Sequence, residues 1–204
     1  MALANYSDLE TALTSWADDR SDVAGVIPEC VRLAESHLNL VLRCREMVTS
    51  SDLTTSSGTV TLPTDFLGVV SAIEKSTPRR NIQYFSRESL EATFDTTTSG
   101  LSCGYTIYGE TMQVAPQPSN DIELTYYQEI PSLETNSTNW LMTKYPAIYL
   151  EASQVEVYRY LKMDEDAQIT SMRLGDMLSA IMNSEDWGTL GNASPTLTNI
   201  TPVF

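Results

Sequence analysis

The chain has 204 residues, of which 42% are apolar, which is enough for one hydrophobic core or one core with a smaller lobe and excludes a disordered protein. Its 27 acidic residues outnumber its 12 basic ones and give a formal charge of -15, which excludes a broad phosphate-binding surface of clustered lysine and arginine. Cys30, Cys44 and Cys103 lack CxxC spacing, and no stretch reaches the ~20 apolar residues of a membrane span, so we expect reduced thiols and a cytosolic chain.

The N-terminal part of the chain predicts two helices. Ser7 and Glu10 fit a capping box, which predicts a short helix over residues 7–19. Apolar residues then recur with helical spacing and predict a long helix over residues 26–46. The outer face of this helix is expected to carry Arg32, Glu35, Asn39, Arg43 and Glu46.

The composition changes to Ser, Thr, Gly and Pro from Thr49 onward, which ends the helical pattern and predicts a β-rich region. The predicted strands cover residues 59–62, 67–73, 81–85, 105–108, 112–115 and 122–128. A short helix that begins at Ser86 interrupts them. Together the strands predict a small antiparallel sheet or sandwich.

Helical signals return in the last third of the chain. Asn139 is placed to cap a short helix, and Pro146 opens a longer helix that is predicted to end at Met163. The acidic run at residues 164–166 starts a last helix, at the end where the helix dipole favours negative charge. An apolar stripe returns this helix to the bundle, and its members are Leu174, Met177, Leu178 and Ile181.

These elements predict an α+β fold, in which the N- and C-terminal helices form a helical bundle that carries an inserted antiparallel β-rich lobe and an extended C-terminal tail. The bundle is expected to be discontinuous and to comprise residues 1–48 and 137–185. Residues 49–136 form the inserted lobe. Residues 186–204 form an extended C-terminal docking arm.

The docking arm is predicted from composition. The segment after Trp187 has no charged residue and no helical period, and its seventeen residues would span roughly 56 Å when extended. Such a segment can donate a strand or a peptide to a neighbouring molecule. Disorder and folding back onto its own core are the alternatives. The residues assigned to docking a partner or a neighbouring copy are Thr196, Leu197, Ile200, Val203 and Phe204.

Two further pairs of residues are candidates for a subunit or tail interface. Arg79 and Arg80 form the simplest basic cluster, which favours a solvated turn or an inter-subunit salt bridge over nucleic-acid recognition. Tyr126 and Tyr127 lie on the last predicted strand, and tyrosine supplies contact area with a polar tip, as core and interface packing require. A ligand-binding aromatic surface is the alternative for the tyrosines.

We predict that the protein is not an enzyme and assign no catalytic, cofactor-binding or metal-binding residue. The sequence has no P-loop, GxGxxG or HExxH pattern. Its single histidine, His37, is expected on a helix surface, and one histidine excludes a two-histidine metal site within one chain. Carboxylate pairs such as Glu123 with Glu129 could in principle hydrolyse a glycoside, but a chain with 27 acids contains such pairs by chance.

Short motifs follow one another in a defined order over residues 5–165. They are Leu62–Phe66, Tyr105–Gly109, Pro116–Pro118, Leu124–Tyr127, Pro131–Leu133 and Trp140–Pro146. This order resembles that of the phage head-tail adaptor (connector) family of podovirus-like and related tailed phages. The resemblance implies a ring of twelve copies that binds the portal protein and offers a platform to a tail or nozzle protein. Genomic DNA would pass through the ring without sequence-specific binding.

The resemblance also implies a virion protein of the head-tail junction, assembled in the cytoplasm of a bacterial host, with no cofactor and no membrane partner. An acidic lumen agrees with it, because carboxylates repel the phosphates of passing DNA. Two alternatives from other classes stay open. One is a peptidoglycan hydrolase of a phage tail, and the other is a carbohydrate- or peptide-binding module that uses the tyrosines of the β-rich lobe.

Overall fold

A computed structural model describes residues 3–17 and 20–190, with the backbone alone for Ser21 and residues 184–190. The chain divides into two compact units, one of residues 1–45 with 130–204 and the other of residues 46–129. The first, here the helical unit, contains no strand among its described residues, whereas the second, the β unit, contains the described strands. The predicted α+β class is confirmed. The unit boundaries lie earlier than the predicted ones at 48/49 and 136/137.

The described chain contains the following α-helices and strands, besides one 3-10 turn at Arg45–Met47. The helices are α1 (Tyr6–Trp16), α2 (Ser21–Ala24), α3 (Ile27–Val41), α4 (Arg87–Thr93), α5 (Leu133–Asn136), α6 (Trp140–Lys144), α7 (Pro146–Tyr160) and α8 (Asp164–Leu190). The strands are β1 (Val48–Leu53), β2 (Thr59–Thr61), β3 (Phe66–Glu74), β4 (Arg80–Asn81), β5 (Gln83–Tyr84), β6 (Gly104–Tyr108), β7 (Thr111–Ala115) and β8 (Ile122–Gln128). Helix α4 belongs to the β unit.

The N-caps of α1 and α6 were both predicted, the first wrongly and the second correctly. Asn5, not Ser7, is the N-cap of α1, and its side chain accepts a hydrogen bond of 3.0 Å from the amide of Asp8. The predicted capping box is wrong because asparagine two residues earlier caps the helix equally well. Asn139 caps α6 as predicted, accepting a 2.9 Å hydrogen bond from the Met142 amide.

Helices α3 and α7, like α1, end before their predicted ends. Helix α3 ends at Val41 because Leu42 turns to extended backbone, and the guanidinium of Arg43 donates a 2.7 Å hydrogen bond to the carbonyl oxygen of Asn39 in the last turn. Helix α7 ends at Tyr160, since Lys162 adopts a left-handed conformation with φ 59°. The amide of Met163 then closes a Schellman-type bond of 2.9 Å to the Tyr158 carbonyl.

Helix α7 forms the centre of the helical unit. It packs against α1, α3, α6 and α8, and most of its side chains from Ile148 to Val157 are buried. A helix surrounded on several sides lacks the broad exposed polar face of an amphipathic surface helix, and α7 buries even the polar Ser153 and Gln154. The large side chains fully buried in this unit include Leu9, Leu13, Ile27, Leu38, Leu133 and Tyr149.

Helix α8 confirms the predicted acidic start, with residues 164–166 in its first turn. Leu174, Leu178 and Ile181 of the predicted stripe are buried, and Met177 is half-buried. The helix continues to Leu190. The first five residues of the predicted docking arm, 186–190, are therefore helical, and the predicted start of the arm is wrong.

The β unit contains two four-stranded sheets, so the single sheet among the two predicted arrangements is wrong. One sheet has the order β1-β8-β3-β4 and is antiparallel throughout. The other has the order β2-β7-β6-β5, and β5 pairs with β6 in parallel. The single strand predicted over residues 81–85 is thus two short strands in different sheets. Strand β1 was not predicted, because its polar sequence VTSSDL suits an edge strand and shows no apolar alternation.

Both sheets contribute to one core, whose buried members are Val60, Leu62, Ala72, Ile82, Tyr105, Met112, Val114, Ile122, Leu124 and Tyr126. Helix α4 approaches β6 closely at Gly104. A Cβ atom at this position would stand 2.7 Å from the Phe85 ring and 2.8 Å from Leu90. Gly104 therefore lets α4 cover the second sheet.

Candidate interaction surfaces

The predicted basic cluster, Arg79 and Arg80, lies at an edge of the first sheet, and Arg79 is matched by an acid. Arg79 donates to the Glu123 carboxylate over 2.7 Å, and Lys75 contacts both Asp52 and Glu123. Asp52 and Glu123 are direct cross-strand partners of β1 and β8, an arrangement in which like charges repel. The ammonium of Lys75 relieves this repulsion. These cations therefore stabilise the sheet and do not form an open phosphate-binding patch.

The two candidate tyrosines differ in their surroundings. Tyr126 is 4% exposed, and its hydroxyl donates a 3.1 Å hydrogen bond to Asp65. Burial, with the Asp65 carboxylate as a smaller cause, raises the pKa of Tyr126 to about 12. Tyr127 is half-buried. Because Tyr126 belongs to the core, little of its ring is available to a partner.

The structure does not bring the arginines and the tyrosines together. In the register of the first sheet, Arg80 on β4 lies opposite Glu74 on β3. Glu74 in turn lies opposite Ile122 on β8. Tyr126 and Tyr127 lie four and five residues further along the same strand, about 13–16 Å away at the rise of a strand. A partner would have to span this distance to use both pairs.

The helical unit contains a buried polar network that the sequence analysis missed. Glu35, expected on the outer face of α3, is 6% exposed. Its carboxylate accepts a 2.7 Å hydrogen bond from the Leu133 amide and a longer one of 3.4 Å from the Tyr149 hydroxyl. The Asn139 amide donates to that hydroxyl over 2.6 Å. Asn39, also expected outside, accepts a 2.9 Å hydrogen bond from the Ile130 amide.

Burial raises the pKa of Glu35, and hydrogen bonds from Leu133, Ser132 and Tyr149 offset part of this effect. A signal for its burial was present in the sequence. Glu35 follows Val31 by four residues and therefore lies inside the apolar stripe of α3. An acid inside such a stripe indicates a buried carboxylate that needs donors from elsewhere in the chain.

The helical unit also exposes apolar side chains in a regular pattern. Leu33 is 57% exposed and Leu40 is 75% exposed, one on each side of the exposed His37 along α3. On α8, Ile169 and Met172 stand one turn apart and are 52% and 66% exposed. Apolar side chains at helical spacing outside a core are typical of surfaces that pack against other proteins.

The surroundings of His37 offer no nucleophile-base arrangement. The residue borders a cavity of about 30 Å³, enough for one water molecule, which Ser171 and Glu156 also line. Among the described residues His37 has no hydrogen bond to either of them, and Glu156 pairs with Arg159 at 2.7 Å. In the part of the chain that the structure describes, no group of His, Cys, Asp and Glu could hold a metal ion.

Residues Gly100–Gly104 match the G-x-S-x-G spacing of serine hydrolases, a pattern that the sequence analysis overlooked. Ser102 is 1% exposed and precedes strand β6, whereas a nucleophile elbow stands between a strand and a helix. Its hydroxyl donates to the Pro116 carbonyl over 3.1 Å, and its amide donates to Glu74 over 2.9 Å. The hydroxyl has a structural role, and His37 belongs to the other unit.

Glu123 and Glu129, named as a carboxylate pair, lie six residues apart at β8 and its end, so their backbones are separated by about 20 Å. Glycosidase carboxylates stand about 5–9.5 Å apart. The pair therefore does not form such a site.

Thr196, Leu197, Ile200, Val203 and Phe204 of the docking arm lie outside the described residues.

No helix of the described chain combines the length and the hydropathy needed to cross a membrane.

No curated protein matches the sequence at a significant level. A protein-family model described as SU10 adaptor protein matches residues 4–196, a range that includes both units. The family is one of structural phage proteins and is not a known enzyme family, and its members are virion components. The match confirms the resemblance inferred from the order of motifs, and the chain belongs to the SU10 adaptor protein family.

Proposed function

We propose that this protein is a head-tail adaptor subunit that forms a ring on the portal protein and provides the platform for a tail or nozzle protein. The observation that carries the proposal is the family match, which extends over both units and into the C-terminal segment. We place the ring at the head-tail junction, with twelve copies as the resemblance implies. Assembly would take place in the cytoplasm of the bacterial host.

Passage of DNA through such a ring requires a surface that does not retain phosphate. The formal charge of -15 supplies repulsion, and Lys75 and Arg79 beside the first sheet already pair with Asp52 and Glu123. Both features support a lumen through which genomic DNA slides without sequence-specific binding. They also support a protein that meets its partners through surfaces other than a basic patch.

The C-terminal segment is proposed as the part that docks onto the portal. After the correction of its start, the arm comprises residues 191–204 and keeps all five assigned residues. These residues are Thr196, Leu197, Ile200, Val203 and Phe204. An uncharged segment with apolar anchors can add to a groove or a sheet edge of a partner, and a ring repeats the contact around its circumference.

Arg80 and Tyr127 are proposed as contacts to a neighbouring subunit or to the tail, because both lie outside the core of the β unit. Arg79 can serve the same interface only if a partner replaces Glu123, with which it forms a 2.7 Å ion pair. Tyr126 is a weaker member of this group because it is buried.

The experiment that tests the arm measures binding of the full chain to an immobilised portal ring of the same phage. One variant replaces Leu197, Ile200, Val203 and Phe204 with serine, which removes the apolar anchors and adds no charge. Its matched control replaces Asn192, Thr198, Asn199 and Thr201 with serine, which leaves the apolar anchors and Thr196 in place. We expect the first variant to bind at least about tenfold more weakly and the control to bind as the unmodified chain does.

Equal binding of both variants would contradict the role of the arm, since the anchors would then contribute nothing. Far-UV circular dichroism of each variant checks that the helices are retained. Failure of the unmodified chain to bind a portal ring that accepts other partners would contradict the adaptor proposal itself.

A further inference from the structure

The helical unit has an open apolar groove of about 410 Å³ between the end of α6, the start of α7 and the middle of α8. Its lining is apolar apart from Lys144 and includes Tyr145, Pro146, Ile148, Met177, Ala180 and Ile181. The groove is separate from the Glu35 network and from the exposed stripe of α3. It borders the helix from whose end the C-terminal segment continues.

The chemistry of the C-terminal segment matches this groove. Residues 191–204 contain no lysine, arginine, aspartate or glutamate, in a chain of net charge -15. Leu197, Ile200 and Val203 recur at every third residue, and Phe204 follows directly. An uncharged segment with regularly spaced apolar side chains loses little solvation when it enters an apolar groove.

The segment is also long enough to return to the groove of its own chain. Ile181 and Met177 lie nine and thirteen residues before Leu190, which is about 14 and 20 Å along the helix axis. Seven extended residues span about 23 Å, so Leu197 is close to the first residue that can reach the groove.

We propose that residues 197–204 occupy the groove between α6, α7 and α8 of the same chain. The same chain is favoured over a second copy, because the segment is covalently attached to the end of α8 and is long enough to reach the groove beside it. A tethered segment also has an effective concentration in the millimolar range, which allows a short apolar contact to form. A docking partner of the segment would have to displace it. The inference holds whether or not the portal is that partner.

Disulfide formation in the full chain tests this placement. In a Cys103→Ser background, which removes the exposed thiol and keeps the buried Cys30 and Cys44, the test variant carries Ala180→Cys and Thr201→Cys. Thr201 lies between the apolar anchors, so all of them are kept. The matched control carries Ser179→Cys with Thr201→Cys. Ser179 is exposed on α8 and turned about 160° away from Ile181 around the helix axis.

In a glutathione redox buffer we expect the Ala180→Cys pair to form an intramolecular disulfide at least about tenfold faster than the Ser179→Cys pair, at a rate independent of protein concentration. Adding Leu197→Ser and Val203→Ser should reduce the advantage of the Ala180→Cys pair. Intact-mass spectrometry distinguishes monomers from linked dimers.

Equal rates for the two pairs would overturn the proposal, because the segment would then show no preference for the groove. Linked dimers whose yield rises with concentration would also overturn it and would identify a second copy as the occupant. Neither result depends on a portal ring, so this test and the portal-binding test can fail separately.

Discussion

Both units bury a glutamate carboxylate among the described residues, and the two glutamates join different parts of the chain. Glu74 of the β unit is fully buried and accepts hydrogen bonds from the Ser102 amide and the Asn120 side chain, at 2.9 and 3.1 Å. These partners lie 28 and 46 residues away, within one continuous stretch of chain. Glu35 of the helical unit reaches Leu133 and Tyr149, 98 and 114 residues away.

This difference shows how the two chain segments of the helical unit are held together. Its two chain segments are separated in sequence by the whole β unit, and Glu35 on the first segment holds the start of the second. Asn39 adds a parallel hydrogen bond to Ile130 one turn further along α3. The Glu35 contact therefore stabilises an association of distant segments, whereas the Glu74 contact organises loops that are already close along the chain.

The largest expected effect follows from Glu35→Ala. The substitution leaves the buried Leu133 amide and the Tyr149 hydroxyl without their acceptor and creates a cavity, so we expect a loss of about 3 kcal/mol in the free energy of unfolding. Urea denaturation followed by circular dichroism measures it. Glu29→Ala, at an exposed position of the same helix, is the control and should change stability by less than about 0.5 kcal/mol. A similar small change for both variants would contradict the closing role of Glu35.

A smaller effect is expected from Glu74→Ala, about 2 kcal/mol. The Ser102 amide would lose its acceptor inside the β unit, but the side chain of the exposed Asn120 can turn to water. The same urea titration measures the change, with the exposed Glu110→Ala as the control in the same unit. A loss larger than that of Glu35→Ala would reverse the comparison between the two carboxylates.

The pH dependence of the free energy of unfolding distinguishes the effect of the Glu35 charge from the effect of its hydrogen bonds. Glu35→Gln keeps an oxygen for the Leu133 amide, so a cost of about 1 kcal/mol is expected at pH 4. Because burial raises the pKa of Glu35 above its ordinary value of 4.5, the native state binds more protons than the unfolded state in the window above that value. The unmodified chain therefore loses stability relative to Glu35→Gln as pH rises through the native pKa.

Parallel urea titrations of the two proteins at several pH values between about 4 and 7 test this sign. A stability advantage of the unmodified chain that grows with rising pH would mean that the pKa of Glu35 is lowered by folding, contrary to the burial of its carboxylate.

The smallest effect is expected for the ion pair of the first sheet. Arg79 and Glu123 are bonded at 2.7 Å, but the arginine side chain is 59% exposed and its charge is screened by water and salt. A double-mutant cycle with Arg79→Gln and Glu123→Gln should give a coupling of less than about 0.5 kcal/mol that decreases in 1 M salt. A coupling several times larger would place this pair among the main stabilising contacts.

The elements that sequence patterns predicted are those with local causes. The Asn139 cap, the acidic start of α8 and its apolar stripe depend on residues within one or two turns of each other. The parallel pairing of β5 with β6, the edge strand β1 and the burial of Glu35 depend on partners far along the chain. Local periodicity contains no information about such partners, which is why the sheets and the Glu35 network were not predicted.

The candidate sites show the same limit of local sequence patterns. Arg79, Arg80, Tyr126 and Tyr127 were grouped by residue type, and only the register of β3, β4 and β8 shows that they lie at different ends of the sheet. Helix α8 likewise continues to Leu190, five residues beyond residue 185, where the composition placed the end of the bundle.

Mass photometry of the full chain, alone and mixed with a portal ring of the same phage, tests the adaptor function most directly. With twelve copies of a 22.6 kDa chain, the ring should gain about 270 kDa in a single step of mass. The serine variant of the four arm anchors should leave the mass of the portal ring unchanged. A portal ring that binds its other partners but gains no mass from the unmodified chain would contradict the proposed function.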